Sequence, residues 1–279
     1  MASEASRLQL EQAVRVAEQA AVEAGTYARE RFGGRLTIKQ KGDAGDMVTE
    51  VDLHTDALIV ERIRTAFPEH SIESEEAGQT GERHPDRVQW HVDPLDGTNN
   101  YALGIPLYGV SIAAHERDEV QLGVVYDSNQ GDLYTARAGG GATRNGMPIA
   151  ARPAAEWRKA TISWIQGHGV GKADELCLHL RHTLESRIKR VLRVWAPSLT
   201  WAMLARGDIQ GIVLYKSEGC DLYAGLLLAQ EAGALVTDFQ GRPVQGLCGP
   251  EPYLVAAHPD CHDELLRLVQ EAVADVSNP

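Results

Sequence analysis

The sequence has no C-x-x-C pair. Its four cysteines, Cys177, Cys220, Cys248 and Cys261, are scattered along 279 residues. Zinc fingers, zinc ribbons and disulfide scaffolds therefore have no framework, and reduced thiols in a cytoplasmic protein are the expectation. No run of about 18 apolar residues occurs, so no membrane-spanning helix is expected. The stretch MASEASRLQLEQAVRVAEQA has no basic region leading into an apolar block, so no secretory signal is expected either. Basic residues are the minority: 27 Lys and Arg stand against 39 Asp and Glu, a net charge of −12. Nucleic-acid backbones are bound by clustered Lys and Arg, so neither nucleic acid nor a membrane is an expected partner. Several catalytic signatures are also missing. There is no G-x-S-x-G elbow and no H-E-x-x-H, and the glycine-rich RAGGGATRNG does not fit G-x-G-x-x-G.

What is present is a chain that is 43% hydrophobic, long enough for a large core. Leu10, Val14, Ala17, Ala21, Ala24 and Ala28 recur at helical spacing, and Gly33-Gly34 ends the pattern. A second helix is predicted from about Val51 to Phe67, stopped by Pro68, with KQKGDAGDMVTEVD as a polar loop between the two. Next come short β-type runs, HSIES, RVQWHV, YGVSIAAHE, VQLGVVYDS and DLYTARAG, which suggest an antiparallel meander. Beyond Arg152-Pro153 strands and helices alternate, which implies a mixed sheet with covering helices. The expectation is an α+β half over residues 1–150 and an α/β half over 151–279 within one compact unit.

The stretch WHVDPLDGTNNY carries the chemistry. Composition predicts a turn, with Pro94 presetting φ and Asp96-Gly97 as a common loop pair. Asp93 and Asp96 would then converge, and two carboxylates in one pocket force one to take up a proton unless a cation lies between them. Mg²⁺, a hard cation that binds carboxylates, waters and substrate phosphate, suits that role. Glu75-Glu76 and Asp221 lie at comparable breaks, and Asp52 at a helix start. Taken singly, Asp221 reads better as a helix N-cap, Glu75 as a solvated acid, and Asp52 as a first-turn acid. A helix beginning at Gly97-Thr98-Asn99 would offer backbone N–H groups to a phosphate. Together these features point to metal-assisted hydrolysis of a phosphate ester.

These residues resemble the inositol monophosphatase family. DPLDGTNNYALGIP looks like its first signature and CDLYAGLLLAQEAG its second, and DMVTEVD and FPEHSIESEEAG, ahead of the first, match its connecting segments. The resemblance implies a five-layered αβαβα sandwich and Mg²⁺-dependent phosphomonoester hydrolysis in a lithium-sensitive homodimer. It implies that Glu75, Asp93 and the Leu95 carbonyl hold one metal, that Asp93, Asp96 and Asp221 hold a second, and that Glu75 with waters holds a third. Thr98 with Asp52 would activate the attacking water, and Gly97 and Thr98 N–H groups would hold the phosphate. Asp96 and Ser198 complete the implied substrate contacts. The alcohol end departs from the family pattern. Ala196-Pro197-Ser198 stands where Gly-Thr/Ser-Ala is usual, VLYKSEGCD puts Leu214, Tyr215 or Lys216 at the place of an inositol-reading Glu, and Cys220 replaces the signature Trp. Inositol-1-phosphate leads as substrate. Histidinol phosphate, a sugar phosphate or fructose-1,6-bisphosphate, and 3′-phosphoadenosine 5′-phosphate stand as alternatives, with a non-catalytic regulatory protein on this fold as a different class of reading.

Overall fold

The structure, a computed structural model, describes residues 4–41, 46–84, 87–217 and 219–277. The chain runs through α1 (Glu4–Arg31), β1 (Ile38–Lys41), β2 (Asp46–Thr49), α2 (Glu50–Ala66), β3 (Ser71–Ser74) and β4 (Gly78–Thr80). It continues with β5 (Gln89–Asp96), α3 (Thr98–Leu103), β6 (Gly109–Glu116), β7 (Glu119–Asp127), β8 (Asp132–Arg137), β9 (Gly141–Arg144) and β10 (Met147–Pro148). The remainder is β11 (Thr161–Gln166), α4 (Glu175–Arg187), β12 (Arg190–Leu192), α5 (Pro197–Ala205), β13 (Gly211–Tyr215), α6 (Leu222–Glu231), β14 (Leu235–Asp238), β15 (Tyr253–Ala257) and α7 (Pro259–Ser277).

Two large sheets organise these elements. The first has strand order β10-β9-β8-β7-β6-β5-β3-β4, and the second β12-β11-β13-β15-β14. From β5 to β9 the first sheet is the antiparallel meander that the sequence predicts, but β3 joins β5 in parallel. Helices α1 and α2 cover one face of this sheet, α5 and α6 lie between the two sheets, and α4 and α7 cover the far face of the second. The buried residues fall into cores between successive layers. Ala17, Ile59, Trp90 and Val124 belong to one, Ala113, Leu199 and Leu228 to the next. Trp201, Leu226 and Ile212 form a third, and Val213, Leu184 and Leu265 a fourth. The architecture is therefore the αβαβα sandwich.

Local composition explains the layering. The helix α1 turns Ala17, Ala20, Ala21, Ala24 and Ala28 inward, each 0% exposed, and their small size brings the helix close to the sheet. CDLYAGLLLAQEAG has no polar face because α6 is sandwiched: Leu222, Ala224, Gly225, Leu226, Leu227, Leu228 and Ala229 are all buried. One expectation is corrected. KQKGDAGDMVTEVD is not simply a loop, since β1 and β2 pair antiparallel from Ile38↔Thr49 to Lys41↔Asp46, while its tip, residues 42–45, lies outside the described residues. Ladder hydrogen bonds satisfy the polar backbone there, and the pairing stops at Thr49 because that residue caps α2.

Two glycines set the height of α6. A Cβ on Gly123 would lie 2.6 Å from the Ala224 carbonyl oxygen, and one on Gly225 would lie 2.5 Å from three atoms of the buried Trp201 side chain. Gly225→Ala is expected to lower the unfolding free energy by about 1–3 kcal/mol despite the better helix propensity of Ala, because the fixed indole cannot retreat. Denaturant titration checks this; unchanged or increased stability would show that α5 and α6 have slack.

Candidate active site

In a regular strand, residues three apart point to opposite faces. Asp93 pairs with Ser111 and Asp96 with Gly109, so three steps on β5 match two on β6. That bulge turns both carboxylates to one side. DPLD is thus a bulged strand end rather than the tight turn that its composition predicts. Pro94 fits inside the bulge, where it has no ladder N–H to give up. Asp93 Oδ1 accepts a hydrogen bond from Leu95 N at 3.0 Å.

Asp221 arrives from α6. It occupies the N-cap position, but its side chain makes no cap hydrogen bond. Instead, one carboxylate oxygen each from Asp93, Asp96 and Asp221 lies within 4.8 Å of the others. Asp93 and Asp96 are 4% and 3% exposed, and Asp221 is partly buried. Among the described residues no lysine or arginine forms an ion pair with any of the three. Glu75 follows β3 at the same end of the sheet, its N–H donating to Val92 O at 3.0 Å. Its side chain is exposed and stands outside the tight trio, yet its charge acts on all three.

Burial, and then the charges of Glu75, Asp96 and Asp221, hold the Asp93 carboxyl well above the usual range. Burial pushes Asp96 up to about 7, against the pull of two hydrogen bonds from Ser198. Burial and then Asp96 push Asp221 up to about 8. Such a cluster gains from any cation placed among its oxygens.

Thr98 and Asp52 meet beside it. Thr98 Oγ1 lies 2.7 Å from Asp52 Oδ1 and 2.9 Å from the Leu95 carbonyl. The other oxygen of Asp52 accepts from Thr49 N at 2.8 Å and Thr49 Oγ1 at 2.5 Å. Thr49 and Asp52 form a capping box at the start of α2. Thr49 is the residue that the sequence reading missed, although T-x-x-D before a helical run is its signal. Gly97 precedes Thr98 with φ +89°, and a Cβ there would lie 2.9 Å from Leu107 O and 3.3 Å from Ala196 Cβ. Both conformation and space call for glycine at this point.

Ser198 is 0% exposed and gives both of its donors, N and Oγ, to Asp96 Oδ2, the backbone bond measuring 2.8 Å. Its position braces Asp96 rather than facing an open site. At the altered alcohol end, Leu214 and Tyr215 are each 1% exposed within β13. Lys216 Nζ is held 3.6 Å from Glu251 and 3.9 Å from Asp174, near the rings of Tyr215 and Tyr253. Cys220 Sγ rests 3.5 Å from Glu73 O, and burial pushes its thiol well up.

The αβαβα fold thus brings a carboxylate cluster on a bulged strand together with a Thr–Asp pair, an arrangement of oxygen donors that suits a hard cation. The chain belongs to the inositol monophosphatase family, whose sequence profile matches residues 9–274. That family is a family of Mg²⁺-dependent phosphatases, and hard carboxylate donors with no basic partner fit such an ion. The chain is 33% identical over 228 residues to the Vibrio cholerae Nus factor SuhB, covering 81% of this chain and 85% of the relative. It is 29% identical over 245 residues to the Thermotoga maritima fructose-1,6-bisphosphatase/inositol-1-monophosphatase, covering 87% and 90%. A solved structure of the Thermotoga maritima IMPase superposes with a TM-score of 0.80 at 27% identity over 97% of this chain and 99% of that one. The extragenic suppressor protein suhB from Bartonella henselae gives 0.83 at 26% identity, over 93% and 98%. No helix among the described residues is long and apolar enough to cross a membrane.

Proposed function

We propose that this chain is a phosphomonoesterase that hydrolyses a small phosphorylated alcohol with Mg²⁺ bound at Asp93, Asp96, Asp221, Glu75 and the Leu95 carbonyl. The observation that carries this reading is the convergence of three carboxylates, two of them buried and one partly buried, with the Thr98–Asp52 pair at one bulge. Mg²⁺ bound there supplies charge neutralisation for the phosphate and the leaving oxygen. The chain's own residues do the positioning. Thr98 Oγ1 has a single proton, and directing it to Asp52 leaves its lone pairs free to accept a hydrogen bond from the attacking water. Asp52, whose carboxyl is raised by burial, is oriented by Thr49 and can hold a proton passed through Thr98. A new P–O bond forms to the water oxygen as the bond to the alcohol breaks; of the two water protons one ends on the leaving oxygen and the other on the released phosphate, Asp52 holding one only in transit. The Gly97 and Thr98 N–H groups would hold the phosphate oxygens.

The test is phosphate release from a panel of inositol-1-phosphate, histidinol phosphate, fructose-1,6-bisphosphate and 3′-phosphoadenosine 5′-phosphate. Release from at least one, abolished by chelation and restored by Mg²⁺, is expected. No release from any member by folded, Mg²⁺-loaded protein would overturn the reading. That outcome would favour a regulatory role, the second reading, which the Nus factor name of the SuhB relative supports.

A further inference from the structure

The residues that the sequence pattern puts at the alcohol end are not placed to read an alcohol. Leu214 and Tyr215 are buried in β13, and Lys216 is engaged with Glu251 and Asp174. Ser198 faces Asp96, and the Cys220 thiol rests on the Glu73 carbonyl. The strand beside β13 offers another side chain. β11 and β13 run parallel, with Gln166 opposite Tyr215 as their last pair. Ligand sites favour the carboxyl ends of parallel strands, and here both segments leave the sheet together. Gly167 N donates to Tyr215 O at 3.0 Å, and a Cβ on Gly167 would lie 1.8 Å from Lys216 O and 3.3 Å from Ser217 Cα. No larger residue fits there, so the loop after β11 is pressed against the segment that leads to Asp221.

The Gly167 carbonyl then accepts from Val170 N at 3.2 Å, which closes a turn with His168 exposed at its tip. The Asp221 carboxylate curls back over the neighbouring segment, since a Cβ on Gly219 would lie 2.9 Å from Asp221 Oδ1. Burial holds the Asp221 carboxyl high, and His168 is close enough for its charge to pull the other way. Gly169 and Gly171 follow, with neither a left-handed φ nor any atom within 4 Å of an added Cβ. Nothing in the fold calls for glycine at these two positions, and the missing side chains leave open room beside the imidazole. In the reading above the phosphate rests on Gly97 and Thr98, which the first sheet supplies. His168 comes from the second sheet, beside Asp221, and so meets the substrate from the side of the alcohol. A neutral imidazole offers one donor and one acceptor, as a hydroxyl does.

We propose that His168 is a further specificity-determining residue, which exchanges hydrogen bonds with a hydroxyl next to the phosphate on the leaving alcohol. This rests on the phosphomonoesterase reading above and adds to it the side chain that reads the alcohol.

The experiment compares glycerol 2-phosphate with isopropyl phosphate, which differs only in lacking the two hydroxyls, for wild type, His168→Ala and His168→Gln. Wild type is expected to prefer glycerol 2-phosphate. In His168→Ala the ratio of kcat/KM between the two esters should fall about tenfold, mostly through KM, the scale of one hydrogen bond to a ligand hydroxyl. His168→Gln keeps a donor and an acceptor and should retain most of the preference, which a merely structural role would not predict. Calorimetric binding of both esters to Ca²⁺-loaded protein gives a readout that needs no turnover, because Ca²⁺ shares the preference for oxygen ligands. The same tenfold fall is expected there. A ratio unchanged within twofold in either arm would overturn the inference, and phosphate release in that assay would leave the phosphomonoesterase reading intact. No release from either ester, with the binding ratio still falling in His168→Ala, would overturn only that broader reading. No binding of either ester by wild type would overturn both.

Discussion

Asp93→Asn is expected to lower kcat/KM by about 10³-fold, or roughly 4 kcal/mol of transition-state stabilisation, while the protein remains folded. The side chain lies at the centre of the cluster, 4% exposed, and faces the charges of Glu75, Asp96 and Asp221. Asparagine keeps the shape and can still accept the hydrogen bond from Leu95 N through Oδ1. What it removes is one of the negative charges that make a cation welcome. The metal-free variant should therefore be more thermally stable than metal-free wild type, because a buried like-charge contact is gone, and it should gain less on adding Mg²⁺. Activity and melting temperature with and without Mg²⁺ check both halves. Near-normal turnover, or an undiminished Mg²⁺ response, would show that Asp93 is not a metal ligand.

The second large effect is a dependence of stability on pH that Mg²⁺ should reverse. Asp96 is pushed up to about 7 and Asp221 to about 8 by burial, from an ordinary value of 3.8, and Asp93 is also raised. Between about pH 4 and 8 the metal-free folded protein holds protons that the unfolded chain has released. Its unfolding free energy must fall as pH rises through that window and level off above it. Buried His91, His115 and His262, all held below their ordinary 6.5 by burial, act in the opposite direction. They are neutral in the fold and charged when unfolded at low pH, so they add stability as pH rises toward 6.5. With half-buried His70, also held low by burial, their contribution fades only as the unfolded imidazoles lose their last charge, which leaves about pH 7.5 to 8.5 as the window in which the carboxylates dominate. There the melting temperature with chelator should drop by on the order of 5 °C, and saturating Mg²⁺ should raise it more at pH 8.5 than at pH 7.5. A metal-free melting temperature that rises across this interval would contradict the raised carboxylates.

Much of the fold is legible in the sequence because burial leaves a periodic trace. The alanine stripe of α1 marks its one buried face, while the meander strands read as short apolar runs because helices cover both faces of their sheet. The apolar CDLYAGLLLAQEAG shows that α6 is covered all round. The hairpin β1–β2 is less legible, since its polar residues carry no burial signal. The bulge in β5 is hidden for another reason. A single extra residue leaves composition unchanged, and DPLD has the makeup of a turn whether or not it pairs with Ser111 and Gly109.

The residues of the candidate site divide in the same way. The sequence by itself determined the acids available, the position of Thr98 after glycine, and the family whose signatures they form, because those depend on residue type and order. Only the tertiary structure decided which acids meet. Asp221, by itself better read as a helix cap, makes no cap bond and joins Asp93 and Asp96 because α6 rests against Gly123 and Trp201 at the right height. Ser198 turns inward to Asp96, Thr49 fixes Asp52, and Trp195 is left exposed on a strained backbone held by Asn100. The physical reason is that such contacts join residues as far apart in the chain as Asp93 and Asp221. No local pattern encodes them, and they exist only once the layers have closed.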